Sequence, residues 1–380
     1  MSESRSRDEV ANSLLAQARK KETAGDTAGA LDLYDASLAL HPDNYIAYKL
    51  RGICFFNLGN TSKAVEDYNR AIQLCPDNVD LLYNRAVFNK DMGKLDDALI
   101  DLCDALVGNT DHFHALLLRG EILIEFGRLE EAQVDFERAK AINPSSTLAQ
   151  YRHGKAALYQ KTGVDNRQAI FEYVYRTRAW GGSADPSDPY YSGSGTRLTS
   201  HSGTYLQAVS AFLQPHEPRL NAVDIGCGDF VIGSRVRPFC ANYIACDVVS
   251  GLIEHNKGRF ADLDVDFRVL DAVNAPLPDG DIVFIREVLQ HLSNSDISSI
   301  ISKVSQTYKY AIITECLPSL GGFTPNLDKV TSEKIRNNVN GSGVILTEPP
   351  FNLACRDARQ LCISPDGRTS LVTTLYSFRD

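Results

Sequence analysis

Three carboxylates stand where they could bind a polar ligand: Asp224 in "NAVDIGCGDFVIG", Asp247 in "NYIACDV" and Asp271 in "RVLDAV". Each ends a short apolar run, and the first is followed closely by Gly226 and Gly228. Paired glycines let a backbone turn tightly and approach a ligand. At Asp247 a carboxylate could accept hydrogen bonds from both hydroxyls of a ribose, and at Asp271 it could meet an adenine amino group. Each acid alone can equally be a helix N-cap or a turn residue. A dinucleotide-binding turn needs a third glycine three residues after the second, but Val231 stands there, so a pyrophosphate is poorly accommodated. No G-K-[ST] follows, which excludes a P-loop and leaves a ligand without phosphates open.

A second group lies in "REVLQH". Spacing by four puts Glu287 and His291 on one face of a predicted helix. There His291 could take a proton from an acceptor, while Glu287 holds its tautomer or touches the acceptor. The competing expectation is that His291 packs on the sheet or caps the helix near "LSNSD". Arg286 could bind an anionic acceptor or pair with the neighbours of Glu287. Glu315 is a further carboxylate candidate, and "EPPFNL" a rigid turn suited to an acceptor wall. The nine cysteines are scattered without a C-x-x-C pair, so reduced thiols and no metal site are expected.

From residue 204 onward an amphipathic helix, "TYLQAVSAFL", precedes successive strand candidates, "NAVDIG", "NYIACDV", "VDFRVLDA", "DIVFIRE" and "KYAIITE". That succession predicts a doubly wound sheet, with "SLVTTLYSF" as a late edge strand. In such sheets ligands sit beyond the carboxyl ends of the strands, where the acids stand. Before it, "AWGGSADPSDPYYSGSGTRLTS" is rich in glycine, serine and proline yet carries Trp180, Tyr190 and Tyr191. It reads as a segment covering a ligand or as a connector packed between domains.

The first 160 residues repeat. Gly25, Gly59, Gly93 and Gly127 are 34 residues apart, and Ala30, Ala64, Ala98 and Ala132 keep step, as do Tyr34, Tyr68, Leu102 and Phe136. Small residues let paired helices pack closely, and glycine permits the turn between them. These units, over residues 11–146, resemble tetratricopeptide repeats, with a capping helix over residues 147–160. Such arrays present a concave surface to peptides or proteins. By register that surface includes Lys49, Tyr83, His114, Leu117 and Glu121.

Residues 200–380 resemble the class I S-adenosylmethionine-dependent methyltransferases, on "VDIGCGDF", the acid of "ACDV", "LDA" and "DIVFIREVLQHLSNSDI". The resemblance implies that Gly226 and Gly228 line the methionine and ribose end, Asp224 orients the turn, Asp247 binds the ribose, and Asp271 with Ala272 the adenine side. Arg286 and Trp180 join the cofactor-binding set. Phe230 departs from the family form, standing where a third glycine often appears. A narrower likeness, on "WGGS…SGSGT", "REVLQHLS" and "PNLD…GSGVILTEPPFNL", is to a bacterial subgroup of such enzymes often encoded near glycan or natural-product genes. It implies that Ser192, Gly193, Gly195 and Thr196 help close the cofactor site.

The expected architecture is an all-α repeat solenoid followed by an α/β Rossmann-like doubly wound sheet. Its parts are a flexible start (1–10), the repeats with their cap (11–160), a linker and cofactor lid (161–203) and the methyltransferase domain (204–380). The net charge of −9 disfavours nucleic acid. No apolar run reaches the roughly 18 residues of a membrane span, and "MSESRSRDEV" lacks the apolar core of a secretory signal, so a cytoplasmic protein is expected. The expected function is S-adenosylmethionine-dependent O-methylation of a sugar-containing or other biosynthetic small molecule, the repeats recruiting a protein partner or carrier. Alternatives are methylation of a peptide held by the repeats, and an inactive scaffold. Oligomeric state stays open.

Overall fold

The computed structural model describes residues 2–181, 188–193, 199–319, 323–367 and 369–379. They form two compact units, Met1–Ala149 and Gln150–Asp380.

The first unit contains four helical hairpins: α1 (Ser2–Thr23) with α2 (Thr27–Leu40), α3 (Tyr45–Asn57) with α4 (Thr61–Leu74), α5 (Val79–Asp91) with α6 (Leu95–Gly108), and α7 (Phe113–Glu125) with α8 (Leu129–Ile142). The chain is thus helical from Ser2. Gly25, Gly59, Gly93 and Gly127 take left-handed φ values between 70° and 83°, which glycine adopts without steric cost. Gly120 leaves room for the Phe136 ring, 2.5 Å from where a Cβ would stand, and Gly52 does the same for Tyr68. A polar column runs on the same period. Arg51, Arg85 and Arg119 each fork onto a buried carboxylate, Asp67, Asp101 and Asp135, at 2.5–3.0 Å. Leu117, expected on the concave surface, is instead buried.

The second unit takes in most of α9 (Thr147–Thr162), which pairs with α10 (Arg167–Arg176). Together they repeat the hairpin chemistry: Gly163 is left-handed at φ 80°, and a Cβ on Gly154 would strike the Tyr173 hydroxyl. Gly163 lies 36 rather than 34 residues beyond Gly127, so this fifth hairpin is out of step with the period and reads as a lone helix and a linker. Lys155 forms a buried ion pair with Glu333 at 3.0 Å, and the Tyr159 hydroxyl donates to the Thr331 carbonyl at 3.3 Å.

Next come α11 (Thr199–Leu213), β1 (Ala222–Ile225), α12 (Gly233–Val236), β2 (Tyr243–Asp247), α13 (Ser250–Arg259), β3 (Asp266–Val269), β4 (Ile282–Arg286), α14 (Asn294–Thr307), β5 (Tyr310–Pro318), α15 (Arg336–Asn340), β6 (Asp357–Asp366) and β7 (Thr369–Ser377). They build one seven-stranded sheet in the order β3-β2-β1-β4-β5-β7-β6. The first five strands are parallel and β7 runs antiparallel to both neighbours. The strand 369–377, expected at the edge, is therefore interior. β6 is the true edge, and its outward residues, such as Asp357 and Arg359, are polar and exposed, so no apolar run announces it. Alternation sends Val223, Ile225, Val283 and Ile285 to one core, and Ala222, Ala245, Phe284 and Ile312 to the other. Asp224 lies in register with the second group.

If α9 is integral to the second unit, a chain of residues 147–380 unfolds in urea as one cooperative transition. One beginning at residue 161 lacks Lys155 and Tyr159, leaves Glu333 buried and unpaired, and does not.

Candidate functional site

A cavity of about 530 Å³ opens at the carboxyl ends of the strands. Its walls are the glycine turn after β1, the ends of β2 and β3, the turn after β4, and the aromatics Phe171, Tyr175 and Trp180.

The turn is left-handed at Gly226 (φ 72°), Gly228 (54°) and Phe230 (57°). A Cβ on Gly226 would overlap Val288, and one on Gly228 would stand 2.5 Å from the Ser192 Oγ. Phe230 tolerates a conformation costing about 1 kcal/mol because its ring is wholly buried, edge-on to Tyr243, Phe260 and Phe267 at 4.9–5.6 Å. The Gly228 N–H donates to Asp247 Oδ2 at 3.2 Å, and the Val249 N–H to Oδ1 at 3.0 Å. Burial pushes the Asp247 carboxyl up, and these backbone donors pull it back. From α13 the buried Asn256 donates its amide to the Gly228 carbonyl at 2.7 Å.

Asp224 lies beneath the turn and accepts the Tyr243 hydroxyl at 3.0 Å. Burial raises its carboxyl to about 7, with that hydrogen bond opposing. Asp271 is differently employed. Arg167 forks onto it from α10 at 3.1 and 2.9 Å, the Val273 N–H donates at 3.0 Å and the Asn274 amide at 2.9 Å. A carboxylate offers about four lone-pair positions, so this one is filled, leaving none for the expected adenine amino group. Burial would raise the Asp271 carboxyl, but Arg167 and the other donors hold it below its ordinary value. Arg167 also pairs with Asp296 at 3.0 Å. Ala272 beside it lines the cavity.

The segment after β4 is not the expected continuous helix. Glu287 is left-handed at φ 58°, Leu289–His291 form a single 3₁₀ turn, and α14 begins only at Asn294, capped by Ser293. Glu287 and His291 both line the cavity, but not from one helical face. Glu287 does not hold the imidazole: its Oε1 pairs with Arg286 at 2.7 Å, and Arg286 lies over the Tyr205 ring. His291 is buried beside Trp180, ring centres 5.2 Å apart, and among the described residues its Nδ1 has no hydrogen-bond partner. Burial, then the Lys329 charge, push its pKa down to about 4. Trp180 donates its Nε1 proton to the Glu333 carbonyl at 3.0 Å.

Ser192 and Gly193 line the cavity, while Gly195 and Thr196 lie outside the described residues. Glu315 is buried but does not line it, nor does "EPPFNL", whose Phe351 and Leu353 pack on the sheet core. Tyr175, Phe171, Arg167 and Asn256 escape a motif reading because they sit in ordinary helices.

The family comparisons agree with this architecture. Tetratricopeptide repeat models match residues 15–79, 67–100 and 113–146, and a methyltransferase domain model matches residues 222–310. The chain thus carries tetratricopeptide repeats followed by a methyltransferase domain, which supports a methyltransferase with a repeat interaction domain. No curated protein matches it. Among solved structures, the repeats are similar to MamA (21% identity, 47% of this chain and 99% of that one, TM-score 0.39). They are also similar to the Arabidopsis OM64 TPR domain (26%, 30% and 93%, 0.29). A third similarity is to the second TPR domain of human RPAP3 in complex with an HSP70 peptide (30%, 30% and 94%, 0.29). Scores this low carry no argument about partners.

Arg167→Ala strands Asp271 and the buried Asp296 together, and is expected to cost about 3 kcal/mol in urea unfolding of the full chain. Arg167→Lys, which cannot fork, should recover only part of that loss.

Proposed function

We propose that this chain is an S-adenosylmethionine-dependent methyltransferase acting at a hydroxyl of a sugar-containing or other biosynthetic small molecule, with its repeats recruiting a protein partner or carrier in the cytoplasm. The observation that carries the reading is the left-handed glycine turn drawn onto Asp247 by the Gly228 N–H.

The residues fit this cofactor better than a phosphate ligand. The turn, residues 225–231, lacks the third glycine that a pyrophosphate turn needs and carries no lysine or arginine, a setting that does not suit a pyrophosphate. When bound, the cofactor supplies an electrophilic methyl group on a positively charged sulfur. Gly226 and Gly228 keep the turn free of side chains, and Asp247, held by backbone N–H groups of Gly228 and Val249, retains lone-pair capacity for a ribose hydroxyl. Val248, Leu270 and Ala272 offer an apolar slot for adenine, without a part for the Asp271 carboxylate. Asp224 supports the turn from below, and Arg286, steadied by Glu287 and Tyr205, suits the cofactor's carboxylate. Trp180, Ser192 and Gly193 exclude water. His291 is neutral at physiological pH, so its buried Nδ1 can accept the acceptor's proton.

Calorimetric titration of the full chain with S-adenosylmethionine should show binding, lost in Asp247→Ala. A well-folded native protein that binds nothing would remove the reading, and turnover on peptides alone would replace the small-molecule acceptor.

At saturating cofactor, His291→Gln should lower kcat by about 10²-fold or more while cofactor affinity stays unchanged. Because the depressed pKa leaves the imidazole unprotonated until acid pH, the native rate should fall only as pH drops through about 4. An acid limb centred near 6.5 would assign the proton transfer elsewhere.

A further inference from the structure

We propose that Tyr175, on α10, is a positioning residue of the cofactor site: its hydroxyl holds Ser192, and through it residues 188–193, against the glycine turn. This rests on the cofactor reading above.

Three contacts carry it. The Tyr175 hydroxyl and Ser192 Oγ are 3.0 Å apart. The same Oγ accepts the Asp229 N–H at 2.8 Å, so one serine joins the tyrosine to the backbone of the turn. At Gly228 no Cβ could be added without meeting Ser192, so segment and turn are in direct contact. Ser192 has one proton and two lone pairs, enough to satisfy the Asp229 N–H and the tyrosine at once.

Tyr175 also anchors the segment's earlier part. Its ring meets the Tyr190 ring edge-on at 5.5 Å, and Tyr190 packs on Gly251 at the start of α13. Asp188, two residues before, reaches Arg259 at 3.3 Å and His255 at 3.8 Å. The segment is therefore held at one end by the Asp188–Arg259 ion pair, in the middle by rings, and over the cofactor turn by a hydroxyl pair. Only the last involves a group that phenylalanine would lack. Tyr175 itself is buried, with Trp180 edge-on at 5.4 Å, so the ring is fixed independently of its hydroxyl. The consequence is that a helix built on the pattern of the repeats completes a site that the α/β sheet alone leaves open.

The test is calorimetric titration of the full chain with S-adenosylhomocysteine, for native protein, Tyr175→Phe, Ser192→Ala, the double variant and Asp247→Ala, with hydrogen exchange of the ligand-free proteins read over residues 227–231. Loss of one buried hydrogen bond should weaken binding about five- to tenfold in Tyr175→Phe. Ser192→Ala should weaken it at least as much, and the double variant no further, since both act through one contact. Exchange at Asp229 should quicken in each. Unchanged affinity in Tyr175→Phe, or losses that add independently, would overturn the proposal. Native binding that is lost in Asp247→Ala but kept in Tyr175→Phe would remove this proposal and leave the cofactor reading standing; no native binding would remove both. Should Tyr175→Phe fail to fold, Ser192→Ala with native affinity and native exchange at Asp229 overturns the proposal by itself.

Discussion

Between Ile225 and Val231 the backbone takes the left-handed conformation three times, at Gly226, Gly228 and Phe230, and the rest of the site is arranged around that path. Such a path brings the chain close to its neighbours and leaves no room for side chains on its inner side. Val288 fills the space at Gly226 and Ser192 the space at Gly228. The Gly228 amide group is then satisfied from both sides, its N–H by Asp247 and its carbonyl by Asn256. Phe230, the one member with a side chain, turns its ring into the core, and aromatic packing there compensates for the backbone it must adopt. The turn is held from β2, the turn after β4, α13 and the segment 188–193 at once.

Buried charge organises the second unit in a comparable way. Removing an ion from water costs several kcal/mol, so Arg167 is tolerable in the interior only with a carboxylate on each side. Asp271 and Asp296 meet that need and fasten α10 to the end of β3 and the start of α14. Lys155 and Glu333 do the same for α9. The Glu333 backbone carbonyl in turn receives Trp180, which stands against His291. Through these links the hairpin α9–α10 becomes part of the cavity wall. The cavity's own titratable groups are tuned by burial: Asp224 is lifted toward neutrality and His291 kept uncharged, so little uncompensated charge remains in the interior.

Much of this was legible in the chain because it follows from local rules. A 34-residue period in small and aromatic residues determines stacked helical hairpins, since each needs the same close approach and the same turn. Apolar runs ending in acids determine parallel strands and place Asp224, Asp247 and Asp271 at the carboxyl ends of three neighbouring strands. What local rules could not decide was how side chains from distant segments compete for the same partner. Asp271 has the spacing of a ligand residue, but Arg167, 104 positions away, takes its lone pairs. Glu287 and His291 have helical spacing, but a left-handed residue and a 3₁₀ turn break the helix between strand and α14. β6 lacks an apolar run because an edge strand with a polar outer face needs none, and a two-residue slip hid the fifth hairpin from the period. The sequence by itself determined the two folds and the turn; only the tertiary structure decided which acids are left to bind, because a carboxylate's availability depends on which donors the fold brings to it.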